Sequence, residues 1–137
     1  MKILDHINQV NDVHEIDRVS TTWGYSRDYG DWISLNNCFH PDATINISWF
    51  SGPANEFIER SKIMLSEFKP GEHSKHQIGR ARIQVEGDRA TCECHVELLR
   101  RVVPPHLSLI PQLGTGALIF LKTRRQCLAY TLSYDDL

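Results

Sequence analysis

Two residues of the chain have side chains suited to moving a proton. Asp28 falls near the end of a segment whose apolar residues recur at helical spacing, and His76 lies in a segment that predicts a β-strand. Imidazole takes up a proton near neutral pH, and a carboxylate can orient it where a fold brings the two together. Taken alone, Asp28 is also consistent with a solvated surface carboxylate, and His76 with an ordinary half-buried strand residue.

Other kinds of chemistry find little support in the sequence. The remaining histidines, at positions 6, 14, 40, 73, 95 and 106, form no H-x-H or H-x-x-x-H pair, so zinc is not expected. The cysteines, Cys38, Cys92, Cys94 and Cys127, include no C-x-x-C spacing and are predicted to be small buried residues. No phosphate-binding loop, G-x-S-x-G motif or dinucleotide fingerprint occurs. We therefore expect a site without metal or cofactor.

Length and charge restrict the class of protein. The 137 residues fit one domain, residues 1–137. With 15 basic and 17 acidic residues the net charge is −2, and no basic run points to nucleic acid. No apolar stretch approaches the ~20 residues that a bilayer span needs, and the N-terminus is charged too early for a secretory signal. These features predict a cytoplasmic protein without a membrane or nucleic-acid partner.

The first half of the chain predicts helices around a short strand. Residues 1–10 form a loosely determined lead-in. A helix is predicted from Asn11 towards Asp28, and a helical turn from Asp31 to Phe39. A corner at His40-Pro41 leads into a strand from Thr44 to Phe50, which Gly52-Pro53 closes. A second long helix is predicted over about 54–68.

The second half predicts strands. They run from His73 to Val85 with a bulge at Gly79, from Arg89 to Val102 after a turn at 86–88, from Gly114 to Thr123, and from Cys127 to Tyr134, with a break at Val103-Pro104-Pro105-His106. Between Arg89 and Val102 the even positions are small or apolar, so one face should meet a core. Helices followed by antiparallel strands predict an α+β architecture.

Several local motifs resemble the SnoaL-like branch of the nuclear transport factor 2-like superfamily, in its scytalone dehydratase, bile-acid dehydratase and lindane dehydrochlorinase group. They are the Asp31-Trp32-Ile33-Ser34-Leu35 turn, the Phe39-His40-Pro41-Asp42-Ala43 corner, and Gly52 followed by Glu56-Phe57. The resemblance covers roughly Val13 to Asp135. It implies a cone-shaped curved antiparallel sheet wrapped around the long N-terminal helix, with a deep apolar pocket.

The resemblance also implies catalytic roles. Enzymes of this group carry a pocket aspartate seven residues before the leucine of the D-W-x-x-L turn, which here is Asp28 before Leu35. They carry a pocket histidine on the strand that holds His76, in a similar H-x-x-G context. Asp28 and His76 therefore resemble the Asp–His dyad of these enzymes, in which the aspartate orients the histidine and the histidine takes a proton.

The candidate pocket differs from that of the group in its other polar residues. Ile47 stands where scytalone dehydratase has a tyrosine, and Trp23 stands where the bile-acid enzyme has one. Scytalone dehydratase also has a second histidine late in its third strand, and Arg100 stands in that region here. Arg100 could hold an anionic or carbonyl oxygen, or could be a strand-end arginine in water. The residues predicted to line the pocket are Trp23, Tyr25, Ile47, Trp49, Arg100 and Phe120. For the aromatic residues, core packing is the alternative. As pocket walls they favour a small apolar, aromatic or polyketide-like molecule.

Two functions from different classes follow. The first is a cofactor-independent lyase or isomerase, such as a dehydratase, that uses the Asp28–His76 dyad. The alternative is a non-catalytic ligand-binding or assembly subunit, similar to the β subunits of ring-hydroxylating dioxygenases. The outer face of the Arg89–Val102 strand carries His95 and Leu99 among acidic residues. Members of the resembled family commonly form dimers, and together with this outer face the resemblance predicts a homodimer.

Overall fold

The N-terminal half of the chain contributes three helices. The structure, a computed structural model, describes residues 2–101 together with the backbone of two further strands, 109–121 and 126–133. The helices are α1 (Lys2–Tyr29), α2 (Trp32–Asn37) and α3 (Ala54–Ser66). The bounds of α3 agree with the sequence prediction to within two residues, and Phe57, Ile58 and Ser61 are buried as its spacing predicts or allows.

The first helix begins earlier than predicted. Residues 2–10 belong to α1 and are not an irregular lead-in. Ile3, Ile7 and Val10 recur at helical spacing, but they are 76%, 49% and 55% exposed. This part of α1 therefore continues a helix that is anchored further along, because extending an existing helix costs much less than starting one.

A glycine and an aspartate set the angle between the first two helices. Gly30 ends α1 with φ of 70°, a conformation that costs glycine little. Asp31 then caps α2, since its Oδ1 accepts the Ser34 amide bond at 3.1 Å and its Oδ2 accepts the Ser34 hydroxyl bond at 2.6 Å. These two bonds lower the pKa of Asp31. The turn buries Leu35 completely.

In the described part of the chain, seven strands form one sheet. They are β1 (Phe39–Ile47), β2 (Phe50–Pro53), β3 (His73–Ile78), β4 (Arg82–Glu86), β5 (Arg89–Arg101), β6 (Leu109–Leu121) and β7 (Gln126–Ser133). Their order is β2-β1-β7-β6-β5-β3, and β4 pairs with the remaining length of β5. Every pair is antiparallel except β1 with β7, which is parallel and was not predicted.

The predicted corner at His40-Pro41 is wrong in detail. The strand already begins at Phe39, and a register shift between Phe39 and Thr44 in the pairing with β7 accommodates Pro41, which cannot donate a ladder hydrogen bond. Phe50 to Pro53 forms a separate strand that turns back on β1. The predicted break at 103–106 lies outside the described residues.

The strand predicted over His73 to Val85 is interrupted at Gly79, as expected. Its two parts, β3 and β4, pair with successive lengths of β5. The Gly79 amide donates a 2.7 Å bond to the His95 carbonyl, and a Cβ at Gly79 would lie 3.0 Å from that oxygen. On β5 the even positions Ala90, Cys92, Cys94 and Val96 are buried, so the predicted alternation is confirmed.

The core lies between the helices and one face of the sheet. Its largest fully buried side chains include Phe57, Leu35 and Ile45. The long helix α1 packs against β3 and β4, and α3 packs against β1. This confirms the predicted α+β class, with a long N-terminal helix against a largely antiparallel sheet. Among the described residues, no helix is long and apolar enough to cross a membrane.

Candidate active site

A close approach of α1 to β3 creates the candidate site. Gly24, in the last turns of α1, is buried, and a Cβ added there would lie 2.8 Å from Cγ1 of Ile78. The absence of a side chain therefore lets the helix come close to the strand at this point. One helical turn later, at Asp28, the same approach brings a carboxylate within reach of β3. Sequence reasoning missed Gly24, although a lone glycine inside a helical pattern is a recognised sign of close packing.

Asp28 and His76 contact each other twice. Oδ1 of Asp28 lies 2.6 Å from Nδ1 of the His76 ring, and Oδ2 accepts a 2.7 Å bond from the His76 backbone N–H. An ionised carboxylate can only accept, so Nδ1 carries the proton and Nε2 is the basic nitrogen. The His76 side chain is 16% exposed and that of Asp28 10% exposed. The pair is thus shielded from water without being sealed off.

Trp23 fixes the other side of the imidazole. Its ring meets the His76 ring edge to face, with 5.2 Å between centroids and 71° between planes. Trp23 is only 6% exposed and belongs to the hydrophobic core. The His76 ring is therefore held by a carboxylate on one edge and by an aromatic ring beside it, which limits its rotation. Trp23 is thus a predicted pocket residue that the structure places in contact with the dyad.

Arg27 is a further charged residue at this end of α1, and the sequence analysis did not identify it. Its Nη2 lies 3.8 Å from Sδ of Met64, and its guanidinium carbon is 6.0 Å from the centroid of the Phe57 ring. The side chain thus reaches from α1 to α3. Burial lowers the pKa of Arg27, and the neighbouring Asp28 opposes that shift. Arginine nevertheless stays protonated in proteins, so the site contains a permanent positive charge.

Three other predicted pocket residues have different surroundings. Ile47 is partly buried against the core. Trp49 is 40% exposed and packs on Phe57, with 5.7 Å between ring centroids. Tyr25 does not fit its predicted place as a pocket wall, since it is 61% exposed and stacks on Tyr29. The reason is its position on α1, where it points away from the face that carries Trp23.

Arg100 and Phe120 complete the predicted set. Arg100 is exposed, and its guanidinium lies 5.1 Å from the centroid of the Phe68 ring. Arg100 lies on the same side of β5 as the buried residues, but it stands near the end of the strand, where the residues are exposed. The structure thus favours a strand-end arginine packed on an aromatic ring. The side chain of Phe120 lies outside the described residues.

The described cysteines are not suited to nucleophilic chemistry. Cys38 and Cys92 are buried, and burial raises the pKa of each thiol to about 12. Burial likewise raises the pKa of Cys94. Since the thiolate is the reactive form, these residues are inert at neutral pH. Within residues 2–101, no group of three or more His, Cys, Asp or Glu side chains is arranged to hold a metal ion.

Comparison with models of protein families assigns the chain to a family. A model of the SnoaL-like domain matches residues 8–113. The chain belongs to the SnoaL-like family. The match contains both Asp28 and His76, together with the D-W-x-x-L turn and the strand corner from which the resemblance was inferred. No curated protein sequence matches the chain significantly.

Solved structures agree on the fold. An NTF2-like protein with a cystatin-like fold from Novosphingobium aromaticivorans is 20% identical, with a TM-score of 0.77, over 98% of this chain and 88% of that one. A candidate dehydratase of the NTF2-like family from Streptomyces avermitilis is 15% identical, with a TM-score of 0.78, over 93% and 99%. The β subunit of benzoate 1,2-dioxygenase from Burkholderia mallei is 14% identical, with a TM-score of 0.72, over 88% of each chain.

These similarities establish the NTF2-like fold and no more. At such identities one fold carries unrelated functions, and the neighbours include both a candidate enzyme and a dioxygenase subunit. A function therefore has to be inferred from the geometry of the site.

Proposed function

We propose that this SnoaL-like protein is a cofactor-independent lyase or isomerase in which His76 is the general base and Asp28 its positioning residue. The observation that carries the proposal is the double contact between the two residues, with a ring bond of 2.6 Å and a backbone bond of 2.7 Å. A carboxylate in this position fixes the tautomer of the ring and stabilises the imidazolium that forms. A half-buried histidine on a strand has no structural need for such an arrangement.

The reaction would begin with removal of a proton from a carbon next to a carbonyl group. Nε2 of His76 takes the proton, and the electron pair moves towards the carbonyl oxygen to give an enolate. In a dehydration, the enolate then expels hydroxide from the neighbouring carbon, and the imidazolium protonates it to water. In an isomerisation, the same proton returns to a different carbon. Both outcomes balance without a metal or a redox cofactor, and general base catalysis of this kind contributes ~10²–10⁴ in rate.

We infer the substrate class from the aromatic residues among the predicted pocket residues. Trp23 lies beside His76, and Trp49, which is 40% exposed and packs on the core residue Phe57, adds a further apolar aromatic surface. Sites of this composition suit aromatic or polyketide-like rings, with a few polar groups to set their orientation. We place the substrate in a pocket between α1, α3 and the sheet, within a domain that comprises residues 1–137.

A direct test uses 3-hydroxy-1-phenylpropan-1-one and a panel of related aryl β-hydroxy ketones. Dehydration extends conjugation and is followed by absorbance, while exchange of the α-proton in D₂O, followed by NMR, detects proton removal even without elimination. His76→Ala should abolish both signals. His73→Ala is the matched control, because it removes an exposed histidine from the same strand. Equal exchange rates for wild type and His76→Ala would reject the proposal.

A second candidate function is a non-catalytic assembly subunit. It is supported by the similarity to dioxygenase β subunits, including one from Novosphingobium aromaticivorans with a TM-score of 0.72. Both candidates are compatible with the proposed homodimer through the outer face of the sheet, where His95 on β5 is exposed. Light scattering should then return about twice the 15.8 kDa of one chain. Proton exchange at the substrate separates the candidates, since only the first requires it.

A further inference from the structure

We propose that Arg27 binds an anionic group of the substrate, so that the site takes apolar acids in preference to neutral molecules of the same shape. The inference rests on the proposed function for the place of the substrate. It adds a charge preference that can be measured by binding alone, without turnover.

Arg27 forms no direct ion pair with a carboxylate among the described residues, although the neighbouring Asp28 acts on its charge at longer range. The adjacent carboxylate of Asp28 is already committed, because both of its oxygens contact His76. The guanidinium instead lies near a thioether, that of Met64, and an aromatic ring, that of Phe57. Both contacts are weak for an arginine, which can donate five hydrogen bonds and forms its strongest pairs with carboxylates.

A half-buried cation in such surroundings lowers stability unless something compensates for its lost hydration. A second polar group lies on the same face of α3. Ser61, four residues after Phe57 and three before Met64, is fully buried, and its Oγ has no hydrogen-bond partner in the described part of the chain. A cation and a hydroxyl without strong partners, on facing helices, are the two donors that a carboxylate would use.

The position of Arg27 relative to the dyad suits a single substrate. Trp23 and Arg27 are four residues apart on α1, so they lie on the same face, ~6 Å apart along the helix axis. Trp23 contacts the His76 ring, whereas Arg27 points towards α3. An acid group held by Arg27 would therefore leave the apolar body of the molecule beside Trp23, with its reacting carbon near His76.

The test compares 2-naphthoate with 2-naphthamide, which has nearly the same shape and no charge. Titration calorimetry at low ionic strength should show the wild type binding the acid at least ~10-fold more tightly than the amide. Arg27→Met should remove this preference while leaving the affinity for the amide unchanged. Arg60→Met is the matched control, because Arg60 also lies over an aromatic ring, 5.3 Å from the centroid of Phe50, but is exposed. It should keep the preference.

A structural role for Arg27 predicts a different result. If the residue served only to join α1 to α3, Arg27→Met would lower the unfolding temperature. As a ligand-binding residue it should leave that temperature equal or raise it, because the substitution removes a partly buried charge that forms no direct ion pair among the described residues. Should the methionine variant fail to fold, Arg27→Gln removes the charge with a polar side chain and must also lose the preference.

Two results would overturn the inference. One is a wild type without an acid preference, including one that binds neither probe, and the other is a preference that persists without the charge of residue 27. His76→Ala separates this inference from the proposed catalysis, since it should stop proton exchange and keep the acid preference. An acid preference that depends on Arg27, in a protein that exchanges no proton, would reject the catalytic proposal alone. Turnover without that preference would reject only the role of Arg27.

Discussion

Asp28 accepts hydrogen bonds from the ring and from the backbone of a single residue, His76. The ring contact is 2.6 Å and the backbone contact 2.7 Å, across 48 positions of sequence. The backbone bond fixes the carboxylate relative to the strand, so the ring bond has a defined direction. A carboxylate bound in this way can orient a base with little freedom to turn away.

Replacing this carboxylate by an amide should disturb the base more than the fold. The amide in Asp28→Asn offers one acceptor oxygen where two donors compete. If the NH₂ group faces the ring, His76 adopts the tautomer protonated at Nε2. If the NH₂ group faces the backbone, the backbone N–H of His76 loses its acceptor, at a cost of ~1–3 kcal/mol. We expect turnover to fall ~10²–10⁴-fold. The ¹⁵N shifts of His76 should report the changed tautomer, and wild-type shifts together with wild-type turnover would contradict this.

The two residues of the dyad should act as one unit. His76→Ala should lower the rate at least as much as Asp28→Asn, because it removes the base itself. The double variant should lose little beyond the worse single variant, since an orienting residue has no further effect once its base is gone. Rate constants for the four proteins form the necessary cycle. Additive losses would show that Asp28 acts on the substrate independently of His76.

Gly24 should be needed for the approach of α1 to β3. An alanine inside a helix is normally favoured by ~1 kcal/mol over glycine. Here its Cβ would lie 2.8 Å from Cγ1 of Ile78, and overpacking of this kind costs ~1–3 kcal/mol. We therefore expect Gly24→Ala to lower the free energy of unfolding by ~0–2 kcal/mol and to reduce turnover by displacing Asp28 from His76. Urea denaturation and steady-state rates measure the two effects.

The contact partner of Gly24 offers the control. Adding Ile78→Ala to Gly24→Ala removes the side chain that the new methyl group meets. The second substitution should therefore cost less in this background than in the wild type. A Gly24→Ala variant with raised stability and full turnover would show that helix propensity outweighs the clash.

The buried thiols should be unreactive in the folded protein and should make it sensitive to alkali. Cys38 and Cys92 have pKa values raised from 9.0 to about 12 by burial. At pH 8 a thiol reagent should therefore modify them about 1,000-fold more slowly than in the unfolded chain. Cys127→Ser removes the one cysteine whose side chain is not described, so that the labelled fraction of this variant measures the other three.

The same shifts predict a direction for stability against pH. Because folding raises the two pKa values, the thiols contribute stability that is fully present below pH 9 and is lost as the pH rises through about 12. The free energy of unfolding should fall over this range, and it should fall less steeply in Cys92→Ala than in the parent protein. Rapid labelling of three thiols at pH 8 without denaturant would contradict the burial on which this prediction depends.

Much of the fold could be predicted from local patterns. The apolar spacing of α3 placed that helix within two residues, and the alternation on β5 identified its buried face. The interruption at Gly79 was also expected, because glycine inside a strand often marks a bulge. Each of these features depends on neighbours in sequence, so the sequence records it directly. The motifs around Asp31 and Pro41 then gave the family and, through it, the candidates Asp28 and His76.

Other features of the fold could not be predicted from local sequence patterns. Residues 2–10 are helical although their apolar side chains are exposed, because they extend the part of α1 that packs against the sheet. The parallel pairing of β1 with β7 joins strands about 80 residues apart in the chain, and no local pattern specifies it. Tyr25 and Trp23 are close in sequence, yet one is exposed and the other touches His76, because a helix turns ~100° for each residue.

For the candidate site too, some properties could be predicted from the sequence and others depend on the tertiary structure. The sequence by itself determined which residue types are present, a carboxylate on a helix and an imidazole on a strand. Only the tertiary structure decided that they meet, since the contact needs the side-chain-free face of Gly24 against Ile78. It also decided that Arg27 reaches from α1 to α3, where its guanidinium contacts Met64 and Phe57 and forms no direct ion pair with a carboxylate among the described residues. Distances between elements set these properties, and they exist only once the helix has packed on the sheet.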